Sequence, residues 1–410
     1  MKIAIIKEYI PAPAANIINT LKFAQGFFDL RNKIEILAIS RFVDFMWRVR
    51  ISNVHKFYGI HKNIKINYFK GGIGFFLSNF AEGNNKISNL FYYYNPFHAY
   101  LKFMRLFPKL YNFFDPEKKI SKYCIKNKFD LAFCRDGYKA AYINIKNRIP
   151  TIIDLHGTIF PLELKRLFKL GKNKFFKGIT TVSPFIKQHL IEKGFPEEKI
   201  FVMDNAVNLK KYDHITNEKK KLRLILNLPI DRRIILSAGK MRFDRGMDTI
   251  LEAANLLKNE RYSFYLLGGN KYRMKKWRNY IAKHNIKGDI QIMNFKPHSL
   301  IPYYLKAADV LLVIYSKSLY SQEYMSPVKL FEYMAAKVPI IATKIGRNIE
   351  ICNNNECLFT NLEDPKDLSE KIKLLINNRD LQGSLIQNAY QKVKNYTIQD
   401  KCEKILKFFF

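Results

Sequence analysis

The feature that most constrains this chain is an alternation, run through twice, of short apolar β-branched segments with longer amphipathic ones. The first half carries KIAII (2–6), KIEILAI (33–39), DLAFC (130–134), PTIIDL (150–155) and GITTVS (178–183). The second half restarts with RIILSAG (233–239), SFYLLGG (263–269), IQIMNF (290–295), DVLLVIY (309–315) and VPIIAT (338–343). Helical patterns such as MDTILEAANLLKN (247–259) and SPVKLFEYMAAK (326–337) fall between them. Strands that are apolar throughout must be covered on both faces, as in a parallel sheet with helices on each side. Two such series predict an α/β chain of two doubly wound, Rossmann-like domains. The boundary is expected near 205–230, where NLKKYDHITNEKKK is polar and lacks strand character, dividing the chain into 1–208 and 209–395 with a closing segment over 396–410.

Composition narrows the function classes. The 410 residues carry 70 Lys and Arg against 35 Asp and Glu, a formal net charge of +35. The surplus is spread along the chain, with 35 basic and 15 acidic residues in the first 210, so a basic tail on a neutral body is excluded. Hydrophobic content of 48% is enough for a core in each domain and argues against disorder. A membrane span needs about 20 predominantly apolar residues, and the longest uncharged aromatic stretch, ISNLFYYYNPFHAYL (87–101), contains Ser, two Asn, Pro and His. The start, MKIAIIKEYIPAP, has too short an apolar run for a signal-peptide core and reads as a buried first strand, so a cytoplasmic protein is expected. The five cysteines are odd in number and show no C-x-x-C spacing or nearby His at ligand spacing, which predicts reduced, structural thiols and no metal site.

The segment 41–114 fits the alternation least well. It holds 11 Lys or Arg against Asp44 and Glu82, with 21 aromatic residues. Three readings stand. Cations with interleaved rings suit an anionic membrane surface; the same composition can stack single-stranded nucleic acid; or the rings are core and the lysines solvate the outside. No helix-turn-helix, zinc or RNP-like pattern supports nucleic acid, so no nucleic-acid partner is expected.

In SPVKLFEYMAAKVPIIAT (326–343), Ser326 is the expected N-cap and Pro327 the first helical residue. A helix start offers unpaired N–H groups to an anion, here those of Ser326, Val328, Lys329 and Leu330. Glu332, about one and a half turns in, can accept two hydrogen bonds from a diol such as a ribose, or simply favour the helix dipole.

This helix followed at once by a buried strand closely resembles the nucleotide-sugar site of retaining glycosyltransferases of the GT-B fold (glycosyltransferase family 4-like, group 1). The resemblance runs over nearly the whole chain. TTVSPFIKQHLIEKGFPEEKIFVMDNAVN (180–208) resembles that family's interdomain passage, and ILSAGKMRFDRGMDTILEAANLL (235–257) the opening of its C-terminal domain. SFYLLGG is similar to the next strand and glycine turn, and IPYYLKAADVLLVIYS (301–316) to the segment before the donor site.

The resemblance implies an N-terminal acceptor-binding domain, a C-terminal donor-binding domain and a last helix that crosses back. It places the diphosphate-gripping cations at Lys240 and Arg245, beside Gly239 and Gly246, with Gly268 in the second glycine turn. Here Lys stands where Arg is more usual, and Arg where Lys is. The family often has two glutamates eight positions apart. The second matches Glu332, but Tyr324 occupies the first position with Glu323 one residue out of register, so sugar recognition stays open among Glu323, Tyr324 and Ser326. The glycine pair after the first strand is replaced by small residues, leaving Ala15 and Asn16 as the acceptor-side candidates. His156, just past a strand end facing the cleft, is implied to hydrogen-bond the transferred sugar, with Arg135 and Asp136 at another strand end as acceptor contacts.

The function implied is a retaining transfer of a sugar from a nucleoside diphosphate to an acceptor hydroxyl, without metal or other cofactor. A glycan or lipid-linked acceptor, an anionic membrane surface as partner, and peripheral attachment at the inner membrane face would account for segment 41–114. A GT-B epimerase and a non-catalytic binding protein are the alternatives.

Overall fold

The computed structural model describes residues 1–8, 10, 15–40, 53–70, 116–135, 137–156, 168–317 and 326–410. Among these residues, the first sheet comprises β1 (Lys2–Glu8), β2 (Lys33–Ser40), β3 (Lys65–Lys70), β4 (Leu131–Arg135), β5 (Thr151–Leu155), β6 (Phe176–Thr181) and β7 (Ile200–Val202). Their order is β3-β2-β1-β4-β5-β6-β7, with every pairing parallel. The second sheet comprises β8 (Arg233–Ala238), β9 (Tyr262–Gly269), β10 (Ile290–Asn294), β11 (Val310–Val313), β12 (Ile340–Thr343) and β13 (Leu358–Thr360), in the order β10-β9-β8-β11-β12-β13 and again parallel.

Strand order reverses between β1 and β4 in one sheet and between β8 and β11 in the other. At such a point the connections leave to opposite faces and open a crevice at the carboxyl ends of the strands. The ten anticipated strands all form. β3, β7 and β13 are not among those ten runs, because KINYFK is half polar and IFV and LFT are three residues long, too little for a periodic signal. β3 and a short helix, Val54–Tyr58, occupy the described part of the aromatic segment, where Tyr58 is buried. The rest of 41–114 lies outside the described residues.

The helices that build the site are labelled in chain order: α1 (Ala15–Asp29), α2 (Met247–Leu256), α3 (Val328–Ala336) and α4 (Ile398–Phe409). Each sheet is covered on both faces by a buried apolar cluster, which is why its strands read as unbroken apolar runs. The closing helix α4 is started by Thr397, whose hydroxyl accepts from the Asp400 amide, and it lies on the first sheet rather than the second. Ile398, Cys402 and Ile405 join the core around Phe23 and Phe27 of α1. Gly26 makes that approach possible, since a Cβ there would lie 2.7 Å from Cys402 Sγ. All five cysteines are free and buried.

The far end of α4 depends on a second glycine. Gly178 in β6 has φ +153°, and a Cβ would collide with the Lys199 carbonyl and the Phe409 ring. Gly178→Ala should therefore lower stability by about 2 to 3 kcal/mol through overpacking and backbone strain, read as a lower thermal melting temperature; an unchanged melt would show that α4 yields freely.

Candidate active site

The carboxyl end of the second sheet's switch point gathers like charge. Gly239 follows β8 with φ +138°, and its missing side chain leaves room for the Lys329 stem, which a Cβ would meet at 2.6 Å. Gly268, φ +122°, presses its backbone on Gly239, and Gly246, φ +56°, starts α2 against Ile314. These three glycines compress the loop 239–246 onto the strands, which places Arg245 near both Lys240 and Lys329, the latter at the head of α3. Arg242 and Arg273 add to the field on Lys240. Burial, reinforced by Arg273, Arg242 and Arg245, brings the Lys240 ammonium down to about 8; burial and Arg245 bring Lys329 down to about 7. Asp244 opposes both shifts, and among the described residues it pairs with Arg242 at 2.9 Å and Arg245 at 3.9 Å. The Arg245 guanidinium also stacks over Tyr315, 4.9 Å from the ring centroid. An anion entering here would restore full charge to two lysines and meet the first amides of α3.

The head of α3 corrects two expectations. Ser326 is not its N-cap: Pro327 takes that position, the helix starts at Val328, and no side chain caps it. Ser326 serves the contact between domains, its hydroxyl accepting from the Asn205 amide (3.0 Å) and donating to Asp204 (3.2 Å), while its carbonyl accepts from Asn205 Nδ2 (2.7 Å). Nor is the Leu330 amide available to an anion, since it donates to the Pro327 carbonyl (3.0 Å). Val328 and Lys329 remain the amides at the helix head.

Glu332 is buried, and its Oε1 accepts from Lys22 Nζ of α1 (2.7 Å) and from His298 Nε2 (3.1 Å). Burial alone would raise this carboxyl, but Lys22 and His298 outweigh it and hold the group well below the carboxylate range. Burial keeps His298 low. Lys22 comes from the first sheet's side and also approaches the Ala206 carbonyl (3.4 Å), so the ribose candidate doubles as an ion pair across the cleft. Asn19 of α1 to Asn205 (2.9 Å) and Arg347 to Asp204 continue the same seam.

On the first sheet, Asp154 at the end of β5 is the hub. Its carboxylate accepts from Arg135 Nη1 (2.6 Å), Thr180 Oγ1 (2.8 Å) and His156 Nε2 (3.1 Å). Burial would raise Asp154, but His156 and then Arg135 hold it well below the carboxylate range. Arg135 is therefore fully buried in this network, contrary to the expected acceptor contact. His156, half-buried at the strand end, is oriented by Asp154. Asn16 stands in the first turn of α1, its Oδ1 accepting from the Ile17 amide; Ala15 is the first residue of that helix. Asp136, Glu323 and Tyr324 lie outside the described residues.

Lys22, His298, Asp154 and the Lys329 ammonium were not foreseen as site groups. Lys22 and Glu332 are 310 positions apart, and no local pattern announces such a pair. No group of three or more His, Cys, Asp or Glu placed to hold a metal occurs among the described residues, and there no helix is long and apolar enough to cross a membrane.

Residues 218–392 match the family model described as glycosyl transferases group 1, and residues 84–211 the one described as glycosyltransferase family 4. A Methanocaldococcus jannaschii protein named as an uncharacterized glycosyltransferase is 30% identical over 274 residues, covering 65% of this chain and 69% of that protein. The chain is a GT-B glycosyltransferase. A Campylobacter jejuni N,N'-diacetylbacillosaminyl-diphospho-undecaprenol alpha-1,3-N-acetylgalactosaminyltransferase is 25% identical over 253 residues, 60% of this transferase and 63% of its own length. Among solved structures, Anabaena HepE in complex with UDP and glucose superposes with a TM-score of 0.71 at 15% identity over 99% of both chains, a likeness of fold.

Removing one partner of the buried Lys22 and Glu332 pair should cost the transferase about 3 kcal/mol, because a lone charge stays behind. Lys22→Met is the direct variant, and Lys22→Met with Glu332→Gln should recover part of the loss. The depressed Glu332 contributes stability above the pH near 4.5 where an unfolded carboxyl ionises, and loses it as pH falls toward the folded value. Melting curves against pH should thus show a flatter acid limb for the double variant than for wild type; parallel limbs would refute the coupling.

Proposed function

We propose that this glycosyltransferase moves a sugar, with retention of configuration, from a nucleoside diphosphate donor to a hydroxyl of a glycan or lipid-linked acceptor at an anionic membrane face. The reading fits surface polysaccharide or glycolipid assembly. The observation that carries it is the convergence of Lys240, Arg245 and Lys329 on the glycine-compressed turn after β8, with the head of α3 beside them. A nucleoside diphosphate gains charge as its glycosidic bond breaks, and preorganised cations and amides stabilise that change more than the ground state. These groups supply positive charge where other transferases use a metal ion. Uridine is the base favoured, since the fold neighbour HepE was solved with UDP. The lipid-linked acceptor is favoured by the undecaprenol in the name of the Campylobacter relative.

Glu332 would bind the ribose with its carboxylate already anchored by Lys22 and His298, so the nucleoside end of the donor senses the first domain. His156, set by Asp154, would hydrogen-bond the sugar. The departing phosphate takes the acceptor proton on the face it leaves, so the new bond forms where the old one broke. Domain closure over the seam excludes water.

Thermal shift against a nucleotide panel tests the donor. UDP should stabilise the wild type, and Arg245→Ala should weaken that binding at least about tenfold, the loss of one charge-assisted contact of about 1.5 kcal/mol or more. Stabilisation by oligonucleotides alone would overturn the reading. Proton NMR of the first product should show the donor's anomeric configuration; the opposite anomer would overturn retention.

A further inference from the structure

The loop that grips the diphosphate has a second face. Between Lys240 and Arg245, the Phe243 ring is 53% exposed and Arg242 points outward. Alongside runs the helix Lys271–Lys283, KYRMKKWRNYIAK, which contains six cations and no carboxylate. Lys271, Lys275 and Lys276 are exposed, and Tyr272 in its first turn is 49% exposed. The surface is rigid. Trp277 is buried beneath Phe243, ring centroids 5.1 Å apart, with its Nε1 donating to the Met241 carbonyl (3.1 Å). The Lys276 ammonium sits 3.9 Å from the Phe243 centroid. An exposed Phe on a fixed loop, ringed by cations on a helix without a carboxylate, has no role in the fold's own core. It matches what an anionic bilayer asks for: rings at the headgroup level and lysines among the phosphates.

We propose that Phe243 and Tyr272, framed by Lys271, Lys275 and Lys276, dock this transferase on an anionic lipid bilayer. The inference rests on the membrane setting given above and assigns it to a surface of the second domain, apart from the segment 41–114. Because Lys240 and Arg245 belong to the same short loop, docking by Phe243 sets the donor diphosphate at the edge of the headgroup layer, where a lipid-linked hydroxyl arrives. Each cation near such a surface contributes about 1 kcal/mol, roughly a fivefold gain in partition.

The test is flotation of the full chain with phosphatidylcholine vesicles, with and without phosphatidylglycerol, comparing wild type with Phe243→Ser combined with Lys275→Glu and Lys276→Glu. Stabilisation by UDP reports the fold and donor pocket of each protein. Wild type should float only with the anionic vesicles, and the variant should lose at least about tenfold in partition while keeping its UDP response. Should the variant float as wild type does, this surface is wrong and the membrane setting survives through another one. Should wild type float with neither vesicle, both fall. Tighter retention of single-stranded oligonucleotide than of anionic vesicles, lost in the same variant, would reassign the face to nucleic acid and overturn the proposal.

Discussion

Crowding of like charge at one backbone turn is the constraint on which the rest of this structure depends. Lys240, Arg245 and Lys329, with Arg242 and Arg273 behind them, are drawn together at the end of β8, and burial with repulsion from the neighbouring guanidiniums lowers Lys240 to about 8 and Lys329 to about 7. Such a cluster is unfavourable by itself, so the surrounding structure must over-determine it. Gly239, Gly268 and Gly246 allow the loop to sit against the strands, Trp277 anchors its base, and the reversal of strand order at β8 and β11 opens the space it points into. Repulsion of this kind would be relieved by a dianion placed among these cations.

The second dependence is the seam between the sheets. Glu332 belongs to α3, packed on the second sheet, yet its anchoring cation comes from α1, and Asp204 and Asn205 between the domains bind Arg347 and Ser326. The closing helix α4 reinforces the junction from below, with the Lys401 ammonium donating to the carbonyls of Met203 (2.9 Å) and Asp204 (2.6 Å). Any change in the angle between domains would therefore disturb the Lys22 and Glu332 pair.

Much of the fold was legible because unbroken apolar runs such as RIILSAG can be satisfied only between two helical layers. The turn 239–246 was legible as well, since its glycines and cations are contiguous and the family resemblance singles them out, and the structure packs that turn against the strands. The polar contacts across the cleft were not. Ser326 looked like a cap because Ser before Pro usually is one, but the partners that claim its hydroxyl, Asp204 and Asn205, lie more than a hundred positions away. Arg135 looked like a cleft residue because it ends a strand; the buried Asp154, two strand positions before His156, turned it inward. Local pattern specifies which segment forms which element, while the choice between capping, pairing and ligand contact is settled by residues distant in the chain.

Calorimetric titration of UDP near pH 8, repeated in buffers of different ionisation enthalpy, tests the central claim most directly. If Lys240 and Lys329 are partly deprotonated in the free enzyme and recharge against a diphosphate, binding must take up protons, the observed heat must vary with the buffer, and the uptake must shrink toward pH 6. Binding of UDP with the same heat in every buffer at pH 8 would contradict the account.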